Sequence, residues 1–140
     1  MNLKKELETE IFKRVAAVSN NMNINTFVVG GYVRDLLLNR PLKNDIDFVS
    51  ESDAIILAQK VAENINSNLK VTIFKRFGTA MIRHNNIDIE FVSARKESYV
   101  TNSRKPTVEK GSLEDDQNRR DFTINALAIS LQTNNFGDLI

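Results

Sequence analysis

The sequence predicts an α+β (mixed α/β) domain, a mixed sheet with helices packed mainly on one side. Three patterns predict it. Apolar residues recur at helical spacing near the start and again after residue 53. A short apolar run passes through paired glycines into a second helical segment. Further on, apolar and acidic residues alternate in two runs separated by Asn85-Asn86.

Leu3, Leu7, Ile11, Val15 and Val18 share one helical face, with Lys and Glu between them, so about residues 2–20 read as an amphipathic helix. The Asn-rich stretch 20–25 ends it, because Asn competes for backbone hydrogen bonds and suits turns. Residues 26–29 form a short buried strand that meets Gly30-Gly31 and a helix over 32–38, which Asn39-Arg40-Pro41 stops. Residues 45–49 read as a strand. Residues 50–53 offer an N-cap to a helix over 54–65.

Residues 70–74 are a strand, and 79–83 and 87–92 pair as a hairpin turning at Asn85-Asn86. The stretch 94–111, rich in Ser, Thr, Lys and Arg, reads as a loop. Residues 113–119 make a short charged helix, and 124–131 are apolar enough to be buried as either helix or strand. Phe74, Phe77, Phe91 and Phe122 are expected in the core. His84, the one histidine, is expected to be an exposed turn residue without a catalytic role.

The 140 residues suit one domain, 41% hydrophobic and 26% charged. With 19 Lys and Arg against 18 Asp and Glu, the net charge is +1, which excludes a polybasic arm or acidic tail as the main feature. Cysteine is absent, so disulfides and thiolate metal sites are excluded. The Lys- and Glu-rich start does not resemble a signal peptide, and no apolar run spans a bilayer. The expectation is a cytoplasmic protein without a membrane partner. The apolar segment 134–140 lacks a cap, suggesting the front part of a longer protein.

Four constellations carry chemistry. Asp45-x-Asp47 on a strand places two carboxylates on one face, with Cα atoms about 6.5–7 Å apart and Ile46 turned away. Such a pair suits a hard cation, and Mg²⁺ takes one or two carboxylates plus phosphate oxygens. Asp88-x-Glu90 alternates with Ile87, Ile89 and Phe91, so either acid could add a third carboxylate; parity leaves the choice open. Gly30-Gly31 allows a tight turn with close backbone approach, and Arg34 and Asp35 follow in the helix. Asp35 is expected near the helix N-terminus, where its charge is favourable. Arg119, Arg120 and Asp121 suit a site that holds phosphate or ribose oxygens. Each pattern alone is common in ordinary strands, turns and charged surfaces; their order is not.

The run Val28-Val29-Gly30-Gly31-Tyr32-Val33-Arg34-Asp35-Leu36-Leu37-Leu38 precedes Asp45-Ile46-Asp47-Phe48. Ile89-Glu90-Phe91-Val92 then leads to Ala94-Arg95, and Leu113-Glu114-Asp115-Asp116 to Arg119-Arg120-Asp121-Phe122-Thr123-Ile124-Asn125-Ala126-Leu127-Ala128. From about Thr26 onward, this closely resembles the catalytic head of the tRNA nucleotidyltransferase/poly(A) polymerase family, in particular bacterial-type (class II) CCA-adding enzymes. The resemblance implies a polymerase-beta-like nucleotidyltransferase fold and a head domain over 1–140 whose neck, body and tail lie elsewhere.

It also implies roles. Asp45 and Asp47 match the catalytic metal-binding pair, and Glu90 matches the third acidic position by its spacing to Arg95. Gly30, Gly31 and Arg34 match the nucleotide-contacting turn. Arg119, Arg120 and Asp121 match the motif for ribose and phosphates, and the 95–110 loop matches a mobile segment. The implied cofactor is Mg²⁺, and the partners are CTP or ATP and the 3′ end of tRNA. The implied reaction is template-independent transfer of CMP or AMP to that end. A poly(A) polymerase and a CC-adding or A-adding enzyme are alternatives within the family. A non-catalytic nucleotide- or RNA-binding module is the alternative outside it. Two departures stand out. The family's Glu-Asp-x-x-Arg base-selecting motif does not occur downstream, and Asn39-Arg40 replaces Gly-Arg or Gly-Leu.

Overall fold

A computed structural model describes residues 2–3, 5, 9–99, 106–110, 112–118 and 127–140. Helix α1 covers Glu10–Asn21, strand β1 Thr26–Val29, helix α2 Gly31–Leu37, strand β2 Asp45–Ser50 and helix α3 Ala54–Ile65. Strands β3 (Val71–Phe74), β4 (Thr79–His84) and β5 (Ile87–Ser93) follow, with a 3₁₀ turn at Lys75–Phe77 before β4. Then come β6 (Arg95–Tyr99), β7 (Pro106–Lys110), helix α4 (Leu113–Asn118) and strand β8 (Ala128–Ser130).

Six strands form one mixed sheet in the order β3-β4-β5-β2-β1-β8. The β2–β5 pair is parallel and the others are antiparallel. A parallel pair needs a long crossover. Here α3 lies within the connection that brings the chain from β2 through β3 and β4 to β5. The carboxyl group of Asp53 starts α3, accepting from the Ile55 and Ile56 amides at 2.9 and 3.2 Å. That fixes the cap within the expected 50–53 window.

The two sheet faces differ. On one, Val28, Ile46, Phe48, Ala80, Ile82, Ile89, Phe91 and Ile129 pack with Phe12 and Val15 of α1 and Leu57 and Val61 of α3. Phe48 stacks on Phe91 with ring centroids 5.4 Å apart, and Phe12 meets Phe48 at 5.9 Å. On the other, Phe27, Val29, Val49, Ala94, Leu113 and Ala128 form a smaller cluster. The alternation of a strand places its odd and even residues on these two faces.

Several expectations change. The first helix starts at Glu10; Asn2 instead bridges to Asp138, and the Leu3 amide donates to the Gly137 carbonyl at 2.6 Å. The start of the chain thereby pairs with a distant segment, whose backbone supplies partners that a helix would otherwise provide. The loop read over 94–111 contains the paired strands β6 and β7, in a register running from Arg95 opposite Lys110 to Tyr99 opposite Pro106. Charged and hydroxyl side chains hide a ladder made by backbone groups. Phe91 is buried, but Phe74 and Phe77 are 43% and 51% exposed. β3 is an edge strand, with a neighbouring strand on one side only among the described residues. Phe122 lies outside the described residues. His84 ends β4 and is half-buried.

Other expectations hold. Asn85 and Asn86 have φ of 52° and 62°, the left-handed pair that a two-residue hairpin turn needs. Asn39, standing where the resembled family often has Gly, adopts φ 51° just past α2. Asn tolerates that left-handed position, so the departure is accommodated. Within the ambiguous 124–131 stretch, Ala128–Ser130 is a strand on the free side of β1.

Candidate active site

The register across the sheet builds the site. Val29 of β1 stands opposite Asp47 of β2, Asp47 opposite Glu90 of β5, and Glu90 opposite Met81 of β4. Neighbouring strands lie about 4.8 Å apart, so the row places the Asp47 and Glu90 carboxylates side by side. Asp45 stands one pleat further along β2, opposite Asp88. Because Ile46, Phe48, Ile89 and Phe91 are buried against the helices, their acidic neighbours occupy the other face. Asp45 is exposed, and Asp47 and Glu90 are half-buried.

The same register distinguishes the two acids on β5. Asp88 lies opposite Arg83, whose Nη1 is 3.4 Å from its Oδ1. Glu90 is flanked by Met81 and by Asp47. A carboxylate beside another carboxylate is unfavourable without a cation, and the donors are all hard oxygens, the type that Mg²⁺ prefers. Among the described residues, no three acidic or histidine side chains already converge as a formed metal cage; the backbone register sets Asp45, Asp47 and Glu90 on one face of two adjacent strands.

The glycine turn closes over this row. Val29 leads directly into Gly30, which has φ 76° and ψ −145°, a conformation that residues with a Cβ avoid. A Cβ there would stand 3.1 Å from the Asp47 Oδ2. Gly30 is therefore required twice, by its backbone angle and by the carboxylate packed against it. Gly31 begins α2, and a Cβ on it would lie 3.4 Å from Nη2 of Arg34. The Arg34 Nε donates to Asp35 Oδ1 at 3.2 Å. Asp35 is the fifth residue of α2 and is 4% exposed. It is not the helix-terminal charge expected from the sequence: α2 starts at Gly31, one residue before the expected 32, which puts Asp35 past the first turn and in a buried position.

Arg119, Arg120 and Asp121 lie outside the described residues. α4, which leads to them, is held by Glu51, whose Oε2 accepts from the Leu113 amide at 2.6 Å. Its Oε1 accepts from Asn25 Nδ2 at 3.0 Å. Glu51 thus ties the turn after β2 to the start of α4 and to the turn before β1. Sequence reasoning did not single it out, because a cap supplied from 62 residues away leaves no local pattern.

A cavity of about 290 Å³ opens elsewhere, between α1 and the amino end of β2, lined by Ile11, Phe12, Tyr32, Ile46 and Ile89. Ile46 and Ile89 alternate with the carboxylates along β2 and β5, so the cavity lies on the opposite face of the sheet. No helix among the described residues is long and apolar enough to cross a membrane.

Comparison with known proteins identifies the family. The family model described as the poly A polymerase head domain matches residues 26–140. An A-adding tRNA nucleotidyltransferase of Aquifex aeolicus is 44% identical over 117 residues, which are 84% of this chain and 14% of the relative. A second, from Halalkalibacterium halodurans, is 37% identical over 94% of this chain and 30% of its own length. A CCA-adding enzyme solved in an apo form superimposes with TM-score 0.86 at 32% identity, over all of this chain and 34% of that one. A tRNA nucleotidyltransferase complexed with a primer tRNA and an incoming ATP analog gives TM-score 0.76 at 39% identity, over 90% of this chain and 33% of that one. The chain thus spans between about one seventh and one third of these relatives. With the family match covering everything from the first strand onward, the chain belongs to the poly A polymerase head-domain family of nucleotidyltransferases.

Proposed function

We propose that this chain is the catalytic head of a template-independent RNA nucleotidyltransferase, transferring CMP or AMP from CTP or ATP to the 3′ end of tRNA. The observation that carries the proposal is the row in which Asp47 and Glu90 stand opposite each other beneath Gly30, with Asp45 one pleat away. Asp45, Asp47 and Glu90 would hold Mg²⁺. Gly30, Gly31 and Arg34 would contact the triphosphate, together with Arg119, Arg120 and Asp121. When bound, Mg²⁺ supplies charge neutralisation at the triphosphate and favours ionisation of the attacking hydroxyl.

The residues then have separable tasks. The carboxylates fix where the reacting phosphate lies, and the bare Cα of Gly30 lets it approach the backbone. Arg34 offers guanidinium N–H groups to phosphate oxygens. The RNA 3′-hydroxyl attacks the α-phosphate, the new phosphodiester forms, and the bond to the leaving pyrophosphate breaks. Positioning and electrostatic stabilisation supply the catalysis. The proposed unit is a head domain over 1–140 that works joined to further segments, since it spans only a fraction of its relatives. The cytoplasm suits it, because the chain has no cysteine to oxidise or to depend on.

Addition of the terminal A alone is a second reading. It is favoured by three relatives, 44%, 39% and 37% identical, that are A-adding enzymes.

Asp45→Asn and Asp47→Asn test the metal assignment by titration with Mg²⁺–ATP and by thermal melting without metal. Each should abolish metal-dependent nucleotide binding and leave the fold intact. Asp45→Asn should slightly raise the metal-free midpoint, because carboxylate repulsion is relieved. Normal Mg²⁺–ATP binding by both variants would overturn the assignment.

A further inference from the structure

Asp35 is a buried carboxylate to which the proposed reaction gives no task. It is 4% exposed, and a buried charge needs a partner. Among the described residues, the side-chain donor to it is Arg34 Nε at 3.2 Å. Residues i and i+1 on a helix do not normally face each other, whereas i+3 and i+4 share a face with i. Arg34 and Asp35 are i+3 and i+4 from Gly31. A glycine at 31 leaves clear the surface over which Arg34 bends toward Asp35, and the Arg34 Nη2 lies 3.4 Å from where a Cβ would stand. One edge of the guanidinium is thus engaged through Nε. Its Nη groups stay beside the glycine turn that also abuts Asp47 Oδ2.

We propose that Asp35 is a positioning residue for nucleotide binding. It grips Nε of Arg34, so that the Nη hydrogens are pre-aimed at triphosphate oxygens beside Gly30 and Gly31. The arrangement is a relay of orientation with no proton transfer. Arginine suits it because its planar fork can donate to a carboxylate at one edge and to phosphate at another. A lysine has a single ammonium on a flexible stem and cannot serve both sites in a fixed geometry. The buried carboxylate also removes the need to order Arg34 when the nucleotide arrives. This proposal rests on the nucleotide-binding reading of Arg34 given above.

The test titrates this chain with Mg²⁺–ATP and, separately, with inorganic tripolyphosphate, and records thermal melts of each variant. Arg34→Ala should weaken both ligands roughly ten- to a hundredfold. Asp35→Asn, which keeps the shape, should weaken both by about three- to tenfold. The double variant should bind no worse than Arg34→Ala alone, because Asp35 acts through Arg34. Arg34→Lys keeps the charge and changes no buried group, so it tests the geometry even if Asp35→Asn does not fold; it should bind nearly as weakly as Arg34→Ala.

Wild-type affinity in Asp35→Asn, losses that multiply in the double variant, or wild-type affinity in Arg34→Lys would overturn the positioning role. A wild-type chain that binds neither ligand would instead overturn the nucleotide reading, and the positioning role with it.

Discussion

At the scale of single residues, two positions are over-determined in opposite senses. Thr26 is 1% exposed, and its hydroxyl has no hydrogen-bond partner among the described residues. An orphaned hydroxyl in a dry site is unfavourable, and valine has the same shape without it. Thr26→Val should therefore stabilise the chain by up to about 1 kcal/mol, read as a higher urea midpoint with an unchanged slope; a clear loss of stability would show that the hydroxyl is needed. Gly30 is the reverse case. Gly30→Ala should lose about 1–3 kcal/mol from backbone strain alone. Its Cβ at 3.1 Å would also press on Asp47 Oδ2, so Mg²⁺-dependent ATP binding should fall with stability. Unchanged binding in a folded Gly30→Ala variant would detach Asp47 from the site.

At the scale of elements, an inner strand and an edge strand of the sheet behave differently. β5 lies inside the sheet, and its Phe91 is fully buried against Phe48. β3 is at the edge, and Phe74 with the adjacent 3₁₀ residue Phe77 is about half exposed. Arg76 lies over the Phe77 ring at 5.8 Å from its centroid, a contact worth little when exposed to water. Phe91→Ala should cost about 3–5 kcal/mol, whereas Phe77→Ala should change stability by under about 1 kcal/mol. Paired thermal melts decide it, and equal losses would mean that Phe77 is packed in solution. The periodicity that found β5 could not separate these phenylalanines. Phe74 and Phe91 each sit in a strand pattern, and only strand order tells an inner strand from an edge.

At the scale of the whole molecule, the proposed roles of the carboxylates and Arg34 address a metal and a triphosphate, which all four ribonucleotides share. The chain has no Glu-Asp-x-x-Arg run downstream of the arginine pair to read a base. Specificity is a difference of affinities, and contacts common to every ligand supply none. This 140-residue chain should thus bind CTP, ATP, GTP and UTP within about threefold of one another in Mg²⁺. With a net charge of +1, it has little electrostatic hold on an RNA backbone and should extend tRNA barely, if at all. Four parallel titrations and a tRNA extension assay test this. Marked selectivity for CTP or ATP by this chain would place base choice within the head.

What the sequence determined by itself was local or alternating. Gly30-Gly31 between a strand and a helix, the N-cap window before α3, the Asn85-Asn86 turn and the parity of β2 and β5 are all written within a few neighbouring residues. Backbone sterics and side-chain alternation act at that range. The motif order from Gly30 to Asp121 was legible too, and it pointed to the family. Tertiary structure alone decided what depends on distant partners. It paired β2 with β5 in parallel, set Glu90 opposite Asp47, and turned Asp88 toward Arg83. It placed Phe74 and Phe77 at an edge, joined Glu51 to the start of α4, and folded Arg34 over Gly31 onto Asp35. Register between strands is fixed by the summed burial of a whole face and by the connections around it. Two carboxylates 43 residues apart therefore become neighbours only once the Phe48–Phe91 layer has closed.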